Sequence, residues 1–71
     1  MAKEPEELKR RILEALEKVY PCDLSIGEVA RAVGVSDLTA SKYLGILEAE
    51  GRIEVSRRIG RAVLYRVKRR R

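Results

Sequence analysis

The 71-residue sequence contains no histidine and only one cysteine. These absences exclude an internal disulfide, a zinc site built from cysteine and histidine, and catalysis by a histidine-based triad. Phenylalanine and tryptophan are also absent, so few aromatic rings are available to stack on unpaired bases. The acidic residues are scattered, and no glycine-rich phosphate loop or nucleophile–base pair is present, so we expect no enzymatic activity. We expect no metal or other cofactor, and no small-molecule ligand is evident. The same scarcity of aromatic rings argues against a single-strand binder.

Long apolar runs are absent as well. No segment approaches the roughly 20 apolar residues that a membrane-spanning helix needs, and the polar, acidic N-terminus is unlike a signal peptide. We expect a cytoplasmic protein with no membrane partner, associated with the nucleoid if it is prokaryotic. The length predicts a single small domain over residues 1–71, with a frayed basic tail at 68–71. Asparagine and glutamine are missing while charged residues make up 38%, a composition typical of thermophiles.

Basic residues are concentrated at the C-terminal end. The net charge is +5, and the segment from Val55 onward contains eight lysines or arginines and no acidic residue. This asymmetry indicates a polyanionic partner such as nucleic acid. A solvated tail that keeps the protein soluble is the alternative, and charge alone does not separate the two.

The N-terminal third has the apolar spacing of a helix. Leu8, Ile12 and Leu16 recur every four residues, so they share one face of a helix that we predict over 5–19. Pro21 ends that helix, because the residue before a proline is disfavoured in the helical conformation. One face of this helix should therefore contribute to the core.

Two shorter helices should follow. Ser25 and Glu28 form a capping box that begins a second helix of about eight residues, and Gly34 ends it in the left-handed conformation. Ser36 can cap a third helix, which we predict over 37–50. The two helices are thus separated by a tight turn.

The pattern then changes to strand spacing. Gly60 allows a tight hairpin between two alternating runs, and a short extended piece is expected at Leu24. A two-stranded hairpin is marginal alone, so it must pack on the helices. The apolar residues expected to close the core are Ile53, Val55, Val63, Tyr65 and Val67.

Three segments carry a resemblance to a known family. Residues 26–44, with the small Ala30 and the turn residue Gly34, resemble the helix-turn-helix of winged-helix transcription regulators. Residues 44–54 look like the run from the recognition helix into the first wing strand. Residues 58–67 look like the wing of ArsR-type and MarR-type repressors, which also suggests a prokaryotic, archaeal-like origin.

The resemblance implies both a fold and a function. The fold would be a small α+β winged helix-turn-helix in which three helices precede a two-stranded wing. A short extended piece would lie between the first two helices. The function would be sequence-dependent binding of double-stranded DNA by a small transcription regulator. Helix 3 would lie in the major groove, and the basic wing would reach the backbone or the minor groove.

Twelve residues are candidates for DNA contact. Lysine and arginine can bind phosphates or guanine acceptors, and hydroxyl groups can bind phosphates or base edges. On helix 3 the candidates are Ser36, Asp37, Leu38, Thr39, Ser41, Lys42 and Gly45, and on the wing and tail they are Arg57, Arg58, Arg61, Lys68 and Arg69. We expect Arg57, Arg58 and Arg61 to cluster at the hairpin tip. The plainer interpretations are that Ser36 only caps the helix and that Lys42 is only solvated.

The sequence departs from the family pattern on helix 3. Its predicted outer face carries the apolar residues Leu38, Ile46 and Ala49, with Lys42 as the single base. We therefore expect modest sequence reading, and a protein-docking module is the alternative function. The chain lacks the additional helix with which many relatives dimerise, so a homodimer would use helix 1, the wing or an edge strand. Cys22 is expected to be buried or half-buried.

Overall fold

The computed structural model describes residues 5–68. Residues 1–4 and 69–71 lie outside the described part, and with them most of the predicted tail. The elements are α1 (Pro5–Val19), β1 (Leu24–Ser25), α2 (Ile26–Val33), α3 (Asp37–Ala49), β2 (Ile53–Ile59) and β3 (Ala62–Val67). The predicted helices are confirmed, except that α3 ends one residue earlier than expected. Glu50 is its C-cap.

The strands form one antiparallel sheet in the order β1-β3-β2. Leu24 pairs with Tyr65 and Ser25 with Leu64, so β1 lies along the free edge of β3. The sequence predicted only a two-stranded hairpin beside an isolated extended piece. A strand of two residues is too short to show alternation in the sequence. Its pairing depends on the path that the chain takes after α1.

The core lies between the helices and one face of the sheet. Its buried residues come from every helix and from both long strands: Ile12, Leu16, Val29, Ala30, Val33, Ala40, Leu44, Leu47, Ile53, Tyr65 and Val67. Val55 and Val63, also predicted to be in the core, are half-buried at its edge. Leu64 is buried too, but it does not belong to this cluster.

Local capping explains where α2 begins and ends. The Glu28 N–H donates to the Ser25 hydroxyl at 3.2 Å, and the Ser25 N–H donates to the Glu28 carboxylate at 2.8 Å. This is the predicted capping box. Gly34 ends the helix at φ +78°, a conformation that costs a glycine little. The N–H groups of Gly34 and Val35 both donate to the Ala30 carbonyl, which closes the turn into α3.

The connector from α1 to β1 is an exposed surface turn. It contains a cis peptide bond between Tyr20 and Pro21. The Cys22 N–H donates to the Val19 carbonyl at 2.6 Å, which holds the turn against the end of α1. Cys22 itself is exposed. The prediction that it would be buried or half-buried is therefore wrong, because the connector lies on the surface of the protein and no other element within residues 5–68 covers Cys22.

Candidate nucleic-acid interface

Helix α3 presents one face to the core and the opposite face to solvent. Ala40, Leu44 and Leu47 are fully buried, whereas Leu38 is 82% exposed. Lys42, Gly45, Ser41 and Ala49 are exposed on the same side as Leu38. Ile46 is only half-buried at the margin of this face. The outer surface of α3 is defined by Leu38, Ser41, Lys42, Gly45 and Ala49. It is the predicted one except for Ile46, which was wrongly expected to be exposed on it.

Lys42 is the single basic residue of this surface. Its ammonium lies 5.9 Å from the centroid of the Tyr43 ring, within the range of a cation–π contact. Such a contact is weak at an exposed site. Lys42 has no ion-pair partner among residues 5–68. Its positive charge is therefore not neutralised by a neighbouring carboxylate and can meet an external anion.

The first turn of α3 is organised by its own side chains. The Ser36 hydroxyl accepts from the Thr39 N–H at 3.2 Å and donates to the Thr39 hydroxyl at 3.1 Å. Ser36 is therefore a helix cap, and Thr39 is half-buried beside it. The Asp37 carboxylate lies 3.9 Å from the point where a Cβ on Gly27 would be. It thus extends toward the start of α2.

The wing is a hairpin with a two-residue turn. Ile59 pairs with Ala62, which leaves Gly60 and Arg61 as the turn residues. Gly60 has φ +57° and Arg61 has a negative φ, as expected when glycine occupies the first central position of a type II′ turn. Arg61 is exposed at the tip of the wing, as predicted.

A β-bulge separates the two adjacent arginines of β2. The pairing shifts between Val55 and Arg57, so that Ser56 is the extra residue. After the shift, Arg57 pairs with Leu64 and Arg58 pairs with Val63. Directly paired residues share a face of the sheet, and Val63 lies on the core side. Arg57 and Arg58 therefore project from opposite faces.

Arg58 is on the side of the sheet that faces α3. It is close enough to Tyr65 to lower the pKa of that phenol, and Glu48 of α3 acts on the same phenol in the opposite direction. Burial is the larger influence and raises the Tyr65 pKa overall. Arg58 is exposed, and among the described residues it has no ion-pair partner.

Arg57 is held on the other face by Asp23. Its Nε donates to Asp23 Oδ2 at 2.9 Å, and its Nη2 donates to Asp23 Oδ1 at 3.3 Å. The Asp23 side chain is only 9% exposed, against 60% for Arg57. Hydrogen bonds from Arg57 and then from Ser56 lower the Asp23 pKa, and the carboxylate raises the Arg57 pKa. The expected cluster of three tip arginines is thus divided, with Arg57 away from the tip.

The basic residues near the C-terminus also differ in whether a carboxylate pairs with them. Arg66 donates to the Glu54 carboxylate at 2.8 Å across the hairpin. Lys68 is exposed, and its N–H donates to the Arg52 carbonyl at 3.0 Å. Arg69 lies outside the described residues. Lys68 is therefore the one predicted tail contact whose position the structure gives.

These features belong to one known domain type. A family model described as a winged helix-turn-helix domain matches residues 2–61. The chain belongs to this family. Membership indicates DNA binding in general, and domains of this type are typically binding modules rather than enzymes. A search of curated proteins finds no match.

The winged helix-turn-helix domain shows neither a membrane helix nor a metal cluster where it is described. None of the helices within 5–68 combines the length and apolar character of a bilayer span. Over the same residues, no group of three or more acidic or cysteine side chains is arranged to hold a metal ion.

Asp23 is the residue of this site that sequence reasoning missed. It lies 34 positions before Arg57, in a connector that carries no motif. No sequence signal pairs them, because their proximity depends on the β1–β3 pairing and on the bulge at Ser56. By contrast, the exposure of Leu38, Lys42 and Gly45 on α3 follows from helical periodicity.

The Asp23–Arg57 pair should make stability depend on acid pH. A carboxylate whose pKa is lowered by folding stabilises the fold above its unfolded value of about 4, and this contribution is lost as the pH falls through the folded pKa. Asp23→Asn should therefore be less stable than the unaltered protein at pH 7, and the difference should shrink near pH 2.5. Urea unfolding followed by circular dichroism at both pH values measures it. Glu17→Gln, at an exposed residue of α1, is the control, and an equal Asp23→Asn deficit at both pH values would contradict the assignment.

Proposed function

We propose that this winged helix-turn-helix domain binds double-stranded DNA in a sequence-dependent manner. It would act as a small transcription regulator of the ArsR or MarR type without enzymatic activity. One observation carries the proposal: the exposed surface of α3 with Lys42, and the α3-facing side of the wing with Arg58, hold charges that no described carboxylate neutralises. Lysine and arginine side chains without a carboxylate partner can bind the phosphates of a DNA backbone.

The outer surface of α3 suits the major groove. A helix fits that groove, where Lys42 can donate to a phosphate or to the O6 and N7 atoms of guanine. The Ser41 hydroxyl can bind a phosphate or a base edge. Gly45 carries no side chain and thus allows the helix backbone to approach the DNA closely.

The wing supplies the second contact. Arg58 lies on its α3-facing side and Arg61 at its turn, so both can reach phosphates beside the groove that α3 occupies. An arginine can also enter a narrow minor groove, where the negative potential is enhanced. These contacts position the domain without reading many bases.

Sequence reading by one domain should be modest. Leu38 and Ala49 can contact thymine methyl groups but offer no hydrogen bonds. A homodimer on a two-fold symmetric site would read two half-sites and so restore discrimination. We therefore expect specific sites to be symmetric if the protein dimerises.

The deciding experiment is a fluorescence-anisotropy titration of a random-sequence duplex at several salt concentrations. We expect micromolar binding with a steep negative salt slope, because each phosphate contact releases bound counterions. A single strand of the same length is the control and should bind more weakly. No duplex binding even near 50 mM salt would overturn the proposal.

A docking function is favoured by one specific observation, the 82% exposure of Leu38. An apolar side chain that exposed can anchor a protein partner. Leu38→Glu tests the docking function, because it would abolish such a protein complex. On DNA, the added carboxylate would weaken duplex binding through repulsion by phosphates. If Leu38→Glu left duplex affinity unchanged, Leu38 would not face the DNA.

A further inference from the structure

The outer face of the sheet, the one turned away from the helices, carries an ion pair that crosses the central strand. Arg57 on β2 and Ser25 on β1 both pair with Leu64 of β3. Asp23 lies just before β1, and it holds the Arg57 guanidinium with two hydrogen bonds. The pair therefore reaches across β3 at Leu64.

The burial of Leu64 agrees with this arrangement. Leu64 is 8% exposed although it lies outside the core cluster. Since paired residues share a face, the Leu64 and Arg57 side chains lie side by side on the outer face. The methylene groups of an arginine can cover apolar surface while its charged end forms an ion pair. In this position Arg57 can cover Leu64 with its methylene groups while its guanidinium pairs with Asp23.

The bulge at Ser56 determines which arginine is held in this way. Without the extra residue, the alternation of β2 would continue from Val55, and Arg57 would lie on the α3-facing side. With it, Arg57 turns outward to Asp23, and Arg58 takes the α3-facing position. The Ser56 side chain is also near enough to the Asp23 carboxylate to help lower its pKa. The bulge at Ser56 and the Asp23 carboxylate therefore both fix the position of Arg57.

We infer that Asp23 is a positioning residue that neutralises and holds Arg57 on the outer face of the sheet and so limits the non-specific affinity of the wing for polyanions. The inference rests on the proposed function, because it deepens how the wing meets DNA. Asp23 neutralises Arg57 and holds it beside Leu64. The anion then meets Arg58 and Arg61, the two wing arginines nearest α3 and the turn. Freeing Arg57 would add one positive charge to the wing that does not depend on the sequence of the DNA.

The first test measures the salt concentration at which variants elute from immobilised heparin, a polyanion that does not require duplex recognition. Asp23→Asn should elute at higher salt than the unaltered protein. It should also elute at higher salt than Glu17→Gln, which makes the same change in net charge on α1. Arg57→Gln should elute close to the unaltered protein, whereas Arg58→Gln should elute earlier. The double variant Asp23→Asn/Arg57→Gln should lose the gain.

The second test uses the random-sequence duplex. Asp23→Asn should make the salt slope of binding steeper by about one unit, the value expected for one added phosphate contact. Arg57→Lys keeps the charge but loses the two-pronged hydrogen bonding of the guanidinium. It should shift the elution salt concentration and the salt slope in the same direction as Asp23→Asn. Arg57→Lys therefore provides a second variant if Asp23→Asn folds poorly. Circular dichroism establishes that each variant is folded.

The outcomes are distinguishable. The inference is overturned if Asp23→Asn elutes with Glu17→Gln while Arg57→Gln elutes as early as Arg58→Gln, because Arg57 would then bind the anion despite its pairing. If the heparin pattern is as expected but no variant binds duplex DNA, the role of Asp23 stands and the proposed DNA function fails. If duplex binding is strong and Asp23→Asn leaves its salt slope unchanged, the DNA function stands and the role of Asp23 fails.

Discussion

Replacing both Arg58 and Arg61 with glutamine should weaken duplex binding strongly and make its salt slope shallower by about two units. The reason is that each arginine that neutralises a phosphate contributes close to one unit to the slope. Both side chains are exposed, and neither has an ion-pair partner within the described residues. The measurement is the anisotropy titration of the random-sequence duplex between about 50 and 200 mM salt.

A matched pair of variants separates contact from net charge. Arg10→Gln with Lys18→Gln removes the same two charges from exposed positions of α1. We expect this control to change the slope by less than one unit, since a distant charge acts only through the screened field. If both double variants shift the slope equally, the wing has no special contact with DNA. Adding Arg57→Gln to the wing variant should have little further effect while Asp23 holds that arginine.

Leu44→Ala should remove a large part of the stability of the domain. Leu44 is fully buried in the core, and truncating a buried leucine to alanine costs about 2–5 kcal/mol. Domains are stable by only about 5–15 kcal/mol, and a small one lies near the lower end. Urea unfolding followed by circular dichroism should therefore show a much lower midpoint, with partial unfolding near 37 °C.

The same helix provides the control. Leu38→Ala makes the same chemical change at a residue that is 82% exposed, so its effect on stability should stay within about 0.5 kcal/mol. Duplex binding should rank the variants differently, because Leu38 lies on the outer surface of α3 and Leu44 does not. A large stability loss for Leu38→Ala would mean that this leucine is covered in solution, as it would be in a dimer.

Much of the fold was predictable because its signals are local. The helix over Pro5–Val19 follows from the spacing of Leu8, Ile12 and Leu16 together with the proline that follows. The bounds of α2 follow from hydrogen bonds between residues close in sequence, the capping box at Ser25 and the left-handed Gly34. Such interactions need no tertiary context. The exposed face of α3 was predictable for the same reason.

The predictions that were wrong or missing concern contacts between residues that are distant in the sequence. The β1 strand is too short to show alternation, so its pairing with β3 was not expected. Alternation in β2 predicts side-chain direction only while the pairing remains regular, and the bulge at Ser56 reverses the direction for Arg57. The exposure of Cys22 depends on the path of a connector that has no periodic pattern. Each of these depends on how separate elements pack.

Local signals in the sequence suffice to predict the helices, their caps, the hairpin turn at Gly60 and the surplus of positive charge toward the C-terminus. These depend on backbone preferences and on composition, which act over a few residues or over the whole chain. The tertiary structure, in contrast, shows which arginines of the wing are paired with a carboxylate. That outcome depends on the pairing of β1 with β3 and on the bulge in β2. Together they place Asp23 within hydrogen-bonding distance of Arg57 and leave Arg58 on the side of α3.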